Sequence, residues 1–409
     1  MPDTTPAAVP FNVVLPSSGA DGDFKVVIVG GGVAALEAAL CLNDLARDLV
    51  STTILAPNKD FVYLPMAVQE PYGRPLAKRY PLAQIAKDAG AELCSDTFSW
   101  LESDFFVAHT KGGEELHYDA VLLAPGASVY ANFRYTITLD PHRLDEQLHA
   151  VLQDVEGGHI HKLGFVIPEG PVWPLPIYEL ALMTAMRAHE TSADVEITIV
   201  TPEPAPLAIF GQTVADHVEQ LLARSGITTI LSTKAAVHGP GLIAMLPGKA
   251  IHVDPMQPGR EIHADRVIGL PQLFGPHCPG VPTSSPRGFI STDKQGRVHG
   301  IDRTYAAGDA TDFPIKFGGI AAQQADIAAQ SIAALAGANV EPDTFRPELH
   351  AVLLTGERPL ILSVRPSGKT ATHSQVTEVQ TSSPPAKIAA RYLTPYLHGL
   401  DRAAQALTS

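Results

Sequence analysis

The chain has 409 residues, 45% hydrophobic and 18% charged, an ordinary globular balance that suits roughly two or three domains with cores of their own. Its formal charge of −14 argues against general nucleic-acid binding and gives no overall attraction to anionic lipid. No apolar run approaches the ~20 residues of a membrane span. The three cysteines, Cys41, Cys94 and Cys278, form no close pair, which fits a reducing cytoplasm.

Residues 1–23 carry no Lys or Arg and no long apolar core, so they read as a flexible tail rather than a secretory signal. The first strong pattern runs from Lys25 to Leu40. An apolar, β-branched run, Val26 to Val29, stops at Gly30, Gly31 and Gly32, and an alanine-rich helical stretch begins at Val33-Ala34-Ala35. Gly30 suits the tight turn, Gly32 lets backbone approach a pyrophosphate, and Ala35 is small enough for helix to rest on strand. The unpaired N–H groups and positive dipole end of that helix then face the pyrophosphate. A second strand is expected over Ser51–Ala56. The acidic residue that would hold a ribose at its end is absent, since Ala56 stands there, and Asn58 is the candidate replacement. Asn58 as a mere turn residue is the plainer alternative. A short helix is expected through Ala89, and a strand returns at Tyr118 to Gly126, ending in Ala124-Pro125-Gly126.

From Leu163 the organisation starts again. The pattern gives strand Leu163–Pro168, helix Tyr178–His189, strand Val195–Val200, helix Gln212–Ser225 and a short strand Thr228–Leu231, a degenerate repeat of the opening unit. Its turn reads Pro168-Glu-Gly-Pro-Val-Trp-Pro-Leu-Pro176. The prolines offer no N–H to a phosphate, so a pyrophosphate could not use it in the usual way. A short strand then leads to Gly308-Asp309, and Lys316-Phe-Gly-Gly319 opens a long Ala-rich helix ending near Gly337. A hairpin over Leu349–Val364 follows, then a Ser/Thr/Pro-rich connector at 366–385. An apolar helical stripe runs from Lys387, interrupted by Pro395.

Together, Gly30-x-Gly32-x-x-Ala35, the strand ending at Gly126 and Ala306-Ala-Gly-Asp309 resemble the pyridine nucleotide-disulfide oxidoreductase superfamily. Its members are flavoproteins with two dinucleotide-binding domains. The resemblance spans residues 24–335 and implies an α/β fold of two Rossmann-like domains, the second inserted in the first. The implied boundaries are a first FAD-binding part at 24–155, a degenerate NAD(P)-binding domain at 156–285, a second FAD-binding part at 286–338, and a C-terminal region at 339–409. FAD is the implied cofactor. Its implied contacts are Gly30, Gly32, Val33, Ala34, Ala35, Asn58, Ala124, Pro125, Gly126, Gly308, Asp309, which would take the ribityl chain, and Lys316, Gly318 and Gly319. The helix entered through Lys316 would point its N-terminus at the flavin's pyrimidine edge and stabilise negative charge on the reduced ring. A solvated loop lysine is the plainer reading of Lys316.

The C-terminal hairpin and Gln323-Gln324 are similar to the branch holding sulfide:quinone reductases and type II NADH dehydrogenases. That likeness implies electron transfer from a small-molecule donor to a quinone or another small acceptor. No redox cysteine pair exists, and no cysteine stands in Pro171–Pro176, so sulfide oxidation is disfavoured. Lys316, Glu179 and Trp173 are the residues expected to act at the ring, with Trp173 crowding a nicotinamide. The bland alternatives are a packed indole for Trp173 and a helix-face or capping carboxylate for Glu179. Two other functional readings stay open: an NAD(P)H-dependent reductase and a non-catalytic flavin-binding interaction protein.

Three signals are discounted. Pro366-Ser-Gly-Lys-Thr370 imitates a P-loop end but has Ser363 where the first glycine belongs. His159-Ile-His161 has no further ligands at zinc spacing, so no metal is expected. The C-terminal stripe has only Lys387, Arg391 and Arg402 as basic support, so docking on the protein is favoured over peripheral membrane contact. Cys278 lies in a loop and is the one thiol worth testing for reactivity, although a packed cysteine is the favoured account.

Overall fold

A computed structural model describes residues 23–75, 77–247, 261–283, 286–367, 371–379 and 386–408. The tail expected at 1–23 and the Lys369 of the P-loop-like run lie outside the described residues, Asp23 excepted.

Two five-stranded parallel sheets organise the chain. In the first, the strands lie in the order 304–306, 120–123, 24–29, 50–55 and 91–94, every neighbouring pair parallel. The central strand Phe24–Val29 is buried from Val26 onward, as a β-branched strand covered on both faces should be. It feeds helix α1, Val33–Ala46. Helix α2, Leu82–Asp88, precedes the outer strand. The late strand Thr304–Ala306 comes back to pair with Ala120–Leu123, so the first domain is closed by distant sequence.

In the second sheet the order is 137–138, 266–269, 162–166, 196–200 and 227–230, again with every pair parallel. Its helices are α3 (Leu144–Glu156), α4 (Leu175–Thr191) and α5 (Gln212–Arg224). Leaving out one edge strand, the two sheets run in the same strand order, so the repeat read in the sequence is a repeat of topology. The fold class expected, two Rossmann-like domains with one inserted in the other, is therefore what the chain adopts. The edge strand Ile137–Thr138 and α3 pack with the second sheet, ahead of the boundary expected at residue 155. The reason is burial: Leu144, Leu148, Val151 and Val155 of α3 sit among Phe165, Tyr178 and Ile268 of the second core.

Helix α6, Gly318–Leu335, packs along α1 through Ala34, Ala35, Ala38 and Ala39 against Ala321, Ala322, Ala325 and Ala328. Small residues on both faces let the two helices approach closely. Each domain also carries a three-stranded antiparallel ribbon, Phe98–Glu102, Val107–Thr110 and Glu115–His117 in the first and Thr233–Gly239, Leu242–Pro247 and Glu261–His263 in the second, short strands beyond the sequence expectation.

The C-terminal region departs furthest from expectation. The hairpin is a three-stranded sheet, Leu349–Leu353, Leu360–Ser367 and Ala371–Glu378. Its third strand lies inside the stretch expected to be a connector, because Thr372, Ser374 and Val376 pair with Pro366, Val364 and Leu362. Helix α7 is Leu393–Thr408 and starts after residues 387–392, which are not helical. Pro395 falls in its first turn, where no intrahelical N–H is needed, so it neither kinks nor breaks the helix. No described helix is long and apolar enough to cross a membrane.

Candidate functional site

The Gly30–Val33 turn, the segment at Asp309 and the start of α6 meet in one cavity of about 730 Å³. It forms where the strands Phe24–Val29 and Ala120–Leu123 end, at the carboxyl edge of the parallel sheet, the usual place for a ligand in this class of fold. Gly30 has φ +125°, and a Cβ there would stand 2.2 Å from the Ala124 carbonyl oxygen. Only glycine fits. The space in front of Gly32 is open to 4 Å, and neither α1 nor α6 has an acidic residue in its first turn. Both helix N-termini are thus free to face negative charge.

Of the residues singled out in the sequence, Gly30, Gly32, Val33, Asn58, Pro125, Trp173, Glu179, Asp309, Lys316 and Gly318 line the cavity. Ala34, Ala35, Ala124, Gly126, Gly308 and Gly319 do not. Their places are behind the lining. Ala34 and Ala35 are buried in the α1–α6 contact, and Ala124 carries the carbonyl beneath Gly30. The Gly308 N–H donates to Gln324 Oε1, 2.9 Å, and Gly319 lies against the Phe317 ring. Asp60, two residues beyond Asn58, also lines the cavity and puts a carboxylate where Ala56 could not.

Lys316 is 4% exposed, so the solvated-loop reading fails. Its Nζ donates to the Thr311 carbonyl and stands 4.0 Å above the Phe289 ring. Burial brings its amine down to about 8, against the pull of Asp309 and Asp312. Burial likewise pushes the Asp309 carboxyl up, opposed by Lys316. Trp173 is both packing and lining. Its indole stacks on Phe317 at 4.3 Å between centroids and meets Phe210 edge-on at 5.8 Å, while the ring borders the cavity.

Glu179 is neither a cap nor a solvent-facing helix carboxylate. It is 1% exposed, and Lys387 Nζ lies 2.6 Å from Oε1 and 2.8 Å from Oε2. Lys387 also donates to the Pro65 carbonyl at 2.9 Å, and the Leu354 N–H donates to Glu179 Oε1 at 3.0 Å. Burial pushes Glu179 up and Lys387 down, each opposed by the other's charge. Sequence reasoning counted Lys387 as surface basic support; the structure puts it in the cavity wall with Ile388. The signal was a lysine beside the apolar Ile388, in a segment too short to be helical before α7.

The thiols lie elsewhere. None of Cys41, Cys94 and Cys278 lines the cavity. Cys41 is a core residue whose Sγ donates to Asp326 Oδ1 at 3.2 Å. Burial pushes Cys278 up to about 12 and, with Glu114 beside it, Cys94 up to about 11. Among the described residues no group of His, Cys, Asp and Glu could hold a metal ion.

No family model matches this chain, and no curated protein resembles it in sequence. Solved structures do. The sulfide:quinone oxidoreductase of the hyperthermophilic bacterium Aquifex aeolicus superposes with a TM-score of 0.74 at 18% identity, covering 87% of each chain. This chain shares its fold. The reduced CoADR-RHD of Bacillus anthracis matches with a TM-score of 0.60 at 14% identity, over 84% of this chain and 62% of that one. NDH2 of Plasmodium falciparum in complex with NADH matches at 0.56 and 13%, over 71% and 65%. At such identities the likeness carries the architecture, and the residues of the cavity carry the chemistry.

Proposed function

We propose that this protein is an FAD-dependent oxidoreductase that passes electrons from a small-molecule donor to a quinone or another small acceptor, without a redox-active cysteine. The observation that carries the reading is the continuity of the cavity. It joins an anion-ready glycine turn, a carboxylate at Asp309 and a cation at Lys316 to an apolar chamber lined by Val172, Trp173, Ala351 and Val352, with no cysteine in its wall.

The residues present fit FAD. The Gly30–Val33 turn would hold the pyrophosphate, Asp309 the ribityl hydroxyls, and the Lys316–Gly318 start of α6 the pyrimidine edge. Asn58 and Asp60 line the same cavity and would take the adenosine ribose. When bound, FAD supplies the two-electron transfer. Lys316, itself buried, would hold a positive charge where negative charge develops on the ring. The apolar walls give a flat ring its contact area. Reducing a quinone to a quinol consumes two electrons and two protons, and Glu179 and Lys387 hold a proton in the wall of the chamber. The Aquifex neighbour is a sulfide:quinone oxidoreductase, and its fold supports the acceptor class. A sulfide donor needs a thiol to carry sulfur beside the ring, and here Cys41, Cys94 and Cys278 all lie outside the cavity.

The test is the visible spectrum of the purified protein, followed by anaerobic mixing with candidate donors and then with a quinone. A flavin spectrum, bleached by a donor and restored by quinone, is expected, with sulfide no better in the parent than in Cys278→Ser. A colourless protein that takes up no added FAD overturns the proposal.

A further inference from the structure

The second sheet repeats the strand–turn–helix that opens the first, with strand Lys162–Val166 running through a turn into α4. In the first unit the turn is open in front of Gly32. In the second it is filled. Gly170 has φ +108°, and a Cβ built on it would stand 1.8 Å from Arg287 Nη1 and 2.7 Å from its Cζ. The guanidinium therefore occupies the bare face of the one glycine left in the turn. A phosphate oxygen needs about 2.7–3.2 Å from its nitrogen donors, and no such space is left between Arg287 and this backbone. A guanidinium exposed to solvent would attract a phosphate. Arg287 as a whole is half-buried, but the nitrogen facing Gly170, Nη1, is buried with no hydrogen-bond partner among the described residues, so at the turn itself it fills space instead of presenting a solvated charge. The Gly275 N–H donates to the Arg287 carbonyl at 2.7 Å and anchors the Arg287 backbone.

Two independent observations agree. The N-cap of α4 is Pro174 and Pro176 sits in its first turn, so this helix start lacks N–H groups a phosphate would use. At the end of strand Glu196–Val200, where a carboxylate would read a ribose, Glu203 is turned inward. The hydroxyls of Tyr178 and Thr201 donate to its Oε2 at 2.7 and 3.0 Å. Lys234 pairs with Glu169 of the turn at 2.8 Å and brackets the same region.

We infer that the dinucleotide cleft of the second domain is closed, that Arg287 is the residue closing it, and that NAD(P)H is thereby excluded as the electron donor. The inference rests on the reading of the first domain as the flavin site, and the test separates the two. The chain has two tryptophans, so Trp100→Phe leaves Trp173, beside the turn, as the sole indole reporter. Titrating NADH into this protein is expected to give no saturable quenching. Adding Arg287→Ala is expected to give weak but saturable quenching, at least ~10-fold tighter than any residual binding, with Pro174 and Pro176 still withholding their N–H groups. Saturable binding by the Trp100→Phe parent shows the cleft open and overturns the inference. So does a folded Arg287→Ala protein as inert as its parent. Should Arg287→Ala fail to fold, rapid anaerobic bleaching of the wild-type flavin by NADH or NADPH still overturns it, and absence of bleaching upholds the exclusion. Absorbance of the same samples reports the flavin: a colourless protein sinks the FAD reading while the titration still judges the cleft.

Discussion

Lys387 and Glu179 form a buried ion pair, 2.6 Å from Nζ to Oε1, across 208 residues of chain. The pair joins the C-terminal segment to α4, and through the Pro65 carbonyl and the Leu354 N–H it ties in two further segments. Four stretches that never neighbour each other in sequence thus share one wall of the cavity.

Removing one partner leaves an uncompensated buried charge. Lys387→Ala is expected to lower stability by about 3–5 kcal/mol, read from urea unfolding. The double variant Lys387→Met/Glu179→Leu, which removes both charges, should recover most of that loss. Equal destabilisation in the single and double variants would show that packing, not the unpaired charge, sets the cost.

Glu37 performs a comparable task on the other side. Its Oε1 accepts from the N–H groups of Arg391 and Tyr392 at 2.7 and 3.0 Å, and its Oε2 from Leu393 at 2.7 Å. Glu37→Ala orphans donors at the start of α7 at a cost of about 1–3 kcal/mol for the buried one. Hydrogen exchange over 386–408 should accelerate selectively. Uniform acceleration across both domains would argue that Glu37 supports the whole core instead.

Asp309→Ala is expected to lower flavin occupancy, measured as visible absorbance relative to protein. The Asp309→Asn protein, which keeps the shape and hydrogen-bonding capacity, should fall between the two. Full occupancy in Asp309→Ala removes the assigned contact.

Lys316 titrates in the folded protein at about 8, below the 10.5 of an unperturbed amine. Between those values the unfolded chain binds more protons than the folded one, so stability should rise with pH across that window. Unfolding midpoints of flavin-free protein collected over the window test this. Lys316→Met should lack the rise; a slope identical to the parent's assigns it to another group.

Cys278 is buried with its thiol pushed up to about 12, so the native protein should resist thiol-specific alkylation there at neutral pH while the denatured protein reacts. Mass spectrometry of labelled peptides decides. Fast native labelling of Cys278 would reopen a thiol-based mechanism.

The sequence by itself determined the two α/β units, because each is written in local terms: an apolar strand, a turn, an Ala- or Leu-rich helix, then a second strand. It also marked Gly30 through the strand–glycine–helix pattern, and Asp309 and Lys316 through the resemblance that their motifs carry. It left the partner of Glu179 open, since a buried charge is paired by whatever the fold brings beside it, here Lys387 from the far end of the chain. The third C-terminal strand was hidden because Thr, Ser and Gln serve equally in loops and in edge strands, and only pairing with Leu360–Ser367 selects the strand. Arg287 was invisible for the same reason. Nothing local to Pro286-Arg-Gly288 says that its guanidinium will lie on Gly170; the tertiary contact between these two distant residues decided that. Local pattern set the elements, and long-range contacts, which alone bring a desolvated charge its partner, chose what faces the cavity.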